Sequence, residues 1–505
     1  MRHVSVVEED AAGGGLLKSR DEAEEGGLAA TRWAEDGHNL AVADDEVYVV
    51  NSHYSAVEDF AELLQPYNCH VAKAALIYNF PPGDNYKNYA PLGAMTFVYP
   101  DAIVSTAGHV DHGKTQTTYA LSGVWVMKHS EEIKKAMTIK LGYTQIGIYD
   151  CGDEYYYSDG VLKEGKCPNG EEPKLVRRLS LLDVPGHEVL VATMVSGAAV
   201  VDGALLVVDA SQPAPQPQTA EHFAVLDIIG VRHMVVAQNK VDLVTKEKAL
   251  ENYEQIRSFL AGTWAEKAKI IPISALHKVN IDALATYLAK EIPRREAELG
   301  KPARFSVLRS FNVNPPGTPP EKLRGGVLGG TLLQGVLRVG DEIELRPGLK
   351  VDKPKPGYQP IYTKVLSIEY SGYKVDEARP GGLVGIMTGL DPALTKADAL
   401  AGAVVGKPGT LPPVWTAIEV ETKPIPRAAG EKPEPFKQNE VVLLAVGPAT
   451  VFGVVQAVKK DVITVALKKA VCAEQGSKVV VIRQIKNRWI VTNYGSLKGG
   501  TVALE

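Results

Sequence analysis

Four short segments of the 505-residue chain carry the residue types that phosphate and purine recognition require. Gly108-His109-Val110-Asp111-His112-Gly113-Lys114-Thr115 has the spacing G-x-x-x-x-G-K-[ST] and follows the apolar run DAIVSTA. Glycines at those positions let backbone N–H groups turn inward around a phosphate, and a helix starting there adds its positive end. In this pattern Lys114 reaches the β- and γ-phosphate oxygens and the Thr115 hydroxyl ligates Mg2+, while Asp111, His112, Gly113 and Gln116 complete the nucleotide-contacting stretch. Asp183-Val184-Pro185-Gly186 ends the run RLSLLDV; Asp183 is placed to orient a Mg2+-bound water, and the Gly186 N–H to bond the γ-phosphate. Asn239-Lys240-Val241-Asp242 follows HMVVAQ, and the Asp242 carboxylate offers two acceptors for the paired donors of guanine, which adenine lacks. Ser274-Ala275-Leu276 follows KIIPI and offers a backbone N–H to the guanine O6. A D-x-x-G or an N-K-x-D alone is an ordinary loop. Four such segments in this order, each at the end of a strand-like run, describe a Mg2+-dependent guanine-nucleotide site. His187, next to Gly186, is the candidate catalytic residue, positioned to hold a hydrolytic water near the γ-phosphate.

The elements that must position these segments alternate in the βα manner between residues 101 and 300. Apolar runs such as GALLVVDA and HMVVAQN are separated by amphipathic stretches, QTAEHFAVLDIIG and EKALENYEQIRSFLAG, the first ending at Gly230. Continuous apolar strands between helices predict an α/β P-loop domain with a doubly wound, mostly parallel sheet, whose ligands lie at the carboxyl ends of the strands. Beyond residue 300 the pattern changes to short Val/Leu/Ile runs with frequent Gly and Pro, as in GGVLGGTLLQGVLRVGDEIELRPG, which predicts two β-barrels, 301–409 and 410–505.

Composition bounds the rest. A chain that is 45% hydrophobic and 23% charged is an ordinary globular protein, and no run is long and apolar enough for a membrane span. Net charge is −5 overall, yet residues 1–100 hold 16 acidic against 6 basic side chains. The amino-terminal hundred residues therefore read as an acidic extension, loose over 1–40 with a small α+β lobe as the alternative beyond. Cys69, Cys151, Cys167 and Cys472 are too few and too scattered for a disulfide framework, and point to a reducing cytoplasm.

GHVDHGKT (108–115) and DVPGHE (183–188) resemble the translational GTPases. SGVWVMKHSEEIKKAMTIKLGY (122–143), QPQTAEH (216–222), GTWAE (262–266), SALHKVNID (274–282), RSFNVNPPGT (309–318) and LDPALTKAD (390–398) resemble, within them, the initiation factor 2 gamma subunits of archaea and eukaryotes. The resemblance spans about residues 101–505. It implies a GTPase cycling between GTP and GDP in a heterotrimer with alpha and beta subunits. The GTP form carries methionylated initiator tRNA to the small ribosomal subunit, and hydrolysis releases it; neither DNA nor a membrane is implied as a partner. It also implies that Thr138 closes on Mg2+ in the GTP state and that Asp111 helps hold the metal. Two features depart from the family. Ala136 stands where glycine precedes the switch Met-Thr, and only Cys151 and Cys167 remain where two C-x-x-C pairs hold zinc. The expectation there is no zinc and a flexible, exposed loop around Tyr155, Tyr156 and Tyr157, with tyrosine packing as the alternative. Rival readings are an elongation factor Tu-like or selenocysteine-specific elongation factor, and the GTPase subunit of a metabolic enzyme such as sulfate adenylyltransferase. The segments outside the nucleotide motifs argue against all three.

Overall fold

The computed structural model describes residues 97–126, 141–162, 164–185, 195, 197, 200–351, 357–425, 434–485 and 488–504. The acidic extension up to residue 96, Ala136, Thr138, Gly186 and His187 lie outside the described residues.

Seven strands form the first sheet: β1 (Ala102–Ala107), β2 (Gly142–Asp150), β3 (Tyr157–Ser158), β4 (Lys174–Asp183), β5 (Gly203–Asp209), β6 (Met234–Asn239) and β7 (Lys269–Pro272). Their order is β3-β2-β4-β1-β5-β6-β7. The five strands from β4 to β7 run parallel, and β2 and β3 add an antiparallel edge. The parallel strands are apolar on both faces because helices cover both. Ile103 and Leu206 face α2 (Pro217–Ile229) and α3 (Lys246–Leu260) through Phe223, Leu226, Ile256 and Leu260. Their neighbours Val104 and Leu205 face α1 (Lys114–Ser122) and α4 (Ile281–Glu291) through Leu121, Leu284 and Leu288. Alternation along each strand with apolar groups on either side is the doubly wound arrangement expected from the uninterrupted runs. Gly230 ends α2 in the left-handed conformation, φ 94°.

Two closed barrels follow. In the first, β8 (Arg304–Phe311), β9 (Val327–Gln334), β11 (Glu342–Val351), β12 (Gly357–Tyr370), β15 (Leu383–Thr388) and β16 (Val404–Gly406) close a ring through the β11–β12 pairing, while the short strands β10 (Leu337–Arg338) and β14 (Glu377–Ala378) pair with each other and β13 (Tyr373–Val375) adds to β12. In the second, β17 (Val414–Pro424), β18 (Val441–Val446), β19 (Ala449–Lys459), β20 (Val462–Cys472), β21 (Lys478–Ile485) and β22 (Arg488–Leu504) close in the order β17-β20-β19-β18-β21-β22. Closure leaves no unpaired edge, which suits short, Gly-rich strands. Both barrels touch the nucleotide body. Arg309 donates to the Leu141 carbonyl at 2.9 Å, and Lys478 Nζ donates to the Ile229 carbonyl at the end of α2 at 2.6 Å. Among the described residues no helix is long and apolar enough to cross a membrane.

Two expectations fail in the insertion between β2 and β4. Cys151 and Cys167 form a disulfide, with Cα atoms 5.7 Å apart, although they are 16 positions apart in sequence. Compartment statistics say nothing about how a loop folds back on itself, and this one does. Its tyrosines are also not an exposed flexible stretch: Tyr155 and Tyr156 are half-buried against the core cluster that contains α4.

Candidate nucleotide site

All of the described motif residues gather at the carboxyl ends of β1, β4, β6 and β7. The loop after β1 turns through Gly108 (φ 128°), Asp111 (φ 60°) and Gly113 (φ 90°) before α1 begins at Lys114. Left-handed backbone at these points points successive N–H groups to one side. A Cβ on Gly113 would lie 2.3 Å from the Asn239 Nδ2, so a side chain there would displace the next motif. Lys114 is buried; its Nζ donates to the carbonyls of Gly108 and His109 at 3.1 and 2.7 Å. Burial lowers its ammonium to about 8. Gln116 stands in the first turn of α1, and Asp111 is exposed at the loop apex.

Asp183, fully buried at the end of β4, accepts from the Thr115 hydroxyl at 2.7 Å and from the Thr106 hydroxyl at 2.9 Å. A hydroxyl and a carboxylate oxygen this close fit a hard divalent cation. Among the described residues no group of three or more His, Cys, Asp or Glu side chains is arranged to hold a metal.

Asn239 ties the two halves of the site together. Its Nδ2 donates to the His112 carbonyl at 3.0 Å, and its Oδ1 accepts from the Ala275 N–H at 3.0 Å. Lys240, in the left-handed conformation at φ 63°, pairs with Asp209 at 2.7 Å. Burial pushes the Asp209 carboxyl up, but the Lys240 and Ser211 bonds bring it below its usual range. Asp242 lies at the mouth with one oxygen 3.8 Å from His277 Nε2. The Ser274 N–H bonds the Val279 carbonyl, and Leu276 is exposed at the loop tip.

Several residues of the site were not among those read from sequence. Gln218 and His222, one helical turn apart on α2, hold the phosphate loop from behind. Gln218 Oε1 accepts from the Val110 N–H at 3.1 Å, and His222 Nδ1 accepts from the Gly108 N–H at 3.2 Å. Their i, i+4 spacing in QPQTAEH was visible, but nothing in sequence says which neighbour that helix face meets. Burial holds His222 neutral, with its pKa lowered to about 3, and His112 likewise to about 4. The His112 ring is turned into the sheet, Nδ1 3.2 Å from the Val207 carbonyl, so that residue faces the loop's concave side only through its backbone.

Residues 101–294 match the family model of the elongation factor Tu GTP binding domain, 325–406 that of elongation factor Tu domain 2, and 416–497 that of initiation factor eIF2 gamma, C terminal. The chain is 51% identical over 401 residues to translation initiation factor 2 subunit gamma of Pyrococcus furiosus, covering 78% of this chain and 97% of that one. It is 46% identical over 414 residues to the subunit of the same name from Sulfurisphaera tokodaii, covering 79% and 99%. In fold it is similar to translation elongation factor SelB from Methanococcus maripaludis in complex with the GTP analogue GppNHp, with a TM-score of 0.59, 23% identity and 80% of each chain covered. A guanine-nucleotide constellation on a doubly wound sheet, two closed barrels and this degree of identity over most of the chain together make it a GTP-binding and GTP-hydrolysing member of the translation initiation factor 2 gamma subunit family.

Proposed function

We propose that this chain carries methionylated initiator tRNA to the small ribosomal subunit in its GTP state and releases it after hydrolysis, working in the cytoplasm with alpha and beta partner subunits. The nucleotide domain would span 101–300 and the barrels 301–409 and 410–505. The observation that carries the reading is the identity to initiation factor 2 gamma subunits over most of the chain, and the Asn239 bridge between the phosphate-side and guanine-side loops supports its nucleotide-dependent part.

Each residue is assigned the task its motif suggests, supported by local geometry where the residue is among those described. The inward backbone from Asp111 to Thr115 cradles the β-phosphate at the start of α1, with Gln116 in the following turn. Lys114 exchanges its two loop carbonyls for phosphate oxygens, trading neutral acceptors for charged ones that bind an ammonium more strongly. Thr115 and, through water, Asp183 hold Mg2+, with Asp111 and the switch residue Thr138 as further ligands; the ion supplies charge neutralisation on the phosphates. Asp242 takes the two guanine donors, and Lys240 is held beside it by Asp209. The Ser274 and Ala275 N–H groups are already engaged within the protein, which leaves the Leu276 amide to meet the guanine O6. Gly186 bonds the γ-phosphate, and His187 positions the attacking water. Filter binding with a non-hydrolysable GTP analogue tests the cargo: methionylated initiator tRNA should bind far better than elongator tRNA, and equal affinity for the two overturns the assignment.

A further inference from the structure

The segment between β2 and β4 forms a small lobe that reaches both halves of the nucleotide site from behind. Cys151 and Cys167 close it, and both are buried. The other described cysteine, Cys472, is in the second barrel, its Sγ on the Pro412 carbonyl, so it offers no alternative partner. Within the closed segment Gly160 lies against the end of α1. Its N–H donates to the Leu121 carbonyl at 2.9 Å, and a Cβ there would stand 2.1 Å from the Ala120 carbonyl oxygen, so only glycine can approach this closely. The Gly160 carbonyl accepts from Lys278 Nζ at 2.7 Å, and that ammonium lies 5.7 Å over the ring of Tyr119 in α1. Lys278 belongs to the loop that begins with Ser274-Ala275-Leu276, and α1 begins with Lys114. Gly160 thus links the phosphate-binding helix, through its N–H, to the guanine-side loop, through its carbonyl. The Tyr156 N–H donates to the Thr286 hydroxyl of α4 at 2.7 Å, and Asp159 accepts from the Tyr149 hydroxyl at 2.8 Å, which docks the lobe on the same face.

Among its described residues the lobe has almost no regular structure of its own beyond the two-residue strand β3. A segment of that kind opens readily unless something else restrains it, and a cross-link over 16 positions supplies the restraint. We propose that the Cys151–Cys167 bond is a redox-sensitive staple that sets how tightly the site holds its nucleotide. With the bond formed, the lobe braces α1 and the guanine-side loop; with it reduced, the brace loosens and guanine nucleotide leaves faster. Oxidation needs a small-molecule disulfide as the electron acceptor. One cysteine thiolate attacks it and expels a thiolate, then the second cysteine thiolate attacks the mixed disulfide. Two S–H bonds become one Sγ–Sγ bond, the acceptor's S–S bond becomes two thiols, and two electrons move. Reduction by an external dithiol reverses this.

The proposal rests on the nucleotide reading above, and its test separates the two. The whole chain, purified without reductant, is loaded with fluorescently labelled GDP, and its release is timed before and after treatment with a phosphine reductant, with thiols counted under denaturing conditions. Reduction should expose two additional thiols and speed release about three- to tenfold, the range of ordinary intramolecular coupling. The double variant C151S/C167S should release at the fast rate whether or not reductant is present. Amide exchange at Gly160 should quicken on reduction, a readout that needs no bound nucleotide and so stands even if GDP fails to bind. No additional thiols on reduction, or additional thiols with an unchanged rate of GDP release, overturns the proposal, and where GDP fails to bind, unchanged Gly160 exchange overturns it.

Discussion

Replacing Asn239 with alanine removes two hydrogen bonds at the centre of the site and leaves the His112 carbonyl and the Ala275 N–H without their partner. Asn239 itself is buried, so relief by bulk water is limited. An orphaned buried neutral group costs about 1–3 kcal/mol, which puts the pair at about 2–6 kcal/mol before local relaxation. Because the two partners belong to opposite halves of the site, part of that cost appears as lost alignment between phosphate and base contacts. Taking about 2 kcal/mol as the share that reaches binding, GDP affinity should fall roughly thirtyfold, at about 1.4 kcal/mol per decade. Asn239→Asp is predicted to fare no better: it keeps an acceptor for Ala275 but sets a second oxygen against the His112 carbonyl. Isothermal titration with GDP, paired with thermal unfolding of the nucleotide-free protein, measures both shares. An alanine variant that binds GDP within twofold of the parent and unfolds at the same temperature would refute the idea that this side chain couples the two loops.

His187→Ala should leave GTP affinity within about twofold while lowering ribosome-stimulated phosphate release by about a hundredfold or more, the usual weight of a positioned acid–base group. Asp242→Asn should weaken GTP binding and improve binding of xanthosine triphosphate, whose exocyclic oxygen can accept from the new amide, as read by competition titration. Stability should depend on pH through His222 and His112. Burial lowers their pKa values to about 3 and about 4 from 6.5, so between those values and 6.5 the unfolded chain binds protons that the native one refuses. Their stabilising contribution is therefore complete above about pH 6.5 and is lost as pH falls, by up to about 1.4 kcal/mol per unit for each histidine. Denaturant unfolding at pH 7, 6 and 5 should show this slope, and His222→Gln should remove one histidine's share of it.

What could be read from sequence was what the chain encodes locally. The strand tips carrying Asp183, Asn239 and Ser274 were legible because a parallel strand covered on both faces must be apolar throughout, and the loop motifs interrupt those runs sharply. The phosphate loop was legible because its glycines are required by backbone shape, as Gly113 shows. The barrels were visible as a change of pattern, whereas their strand order was not, since closure by the β11–β12 pairing is a non-local event. For the same reason Gln218 and His222 were missed as supports of the loop: Val110 and Gly108 lie more than a hundred residues away in sequence. The Cys151–Cys167 bond was not legible because cysteine number and spacing speak only to compartment, whereas the fold of the lobe decides the pairing.

Competition between GTP and ATP for the nucleotide-loaded site, with Mg2+ present, bears most directly on whether these separate loops act as a single guanine-reading surface. GTP should displace bound GDP at concentrations at least a thousandfold lower than ATP, since adenine presents an acceptor where Asp242 needs a donor. Equal displacement by the two nucleotides would contradict the account at its root.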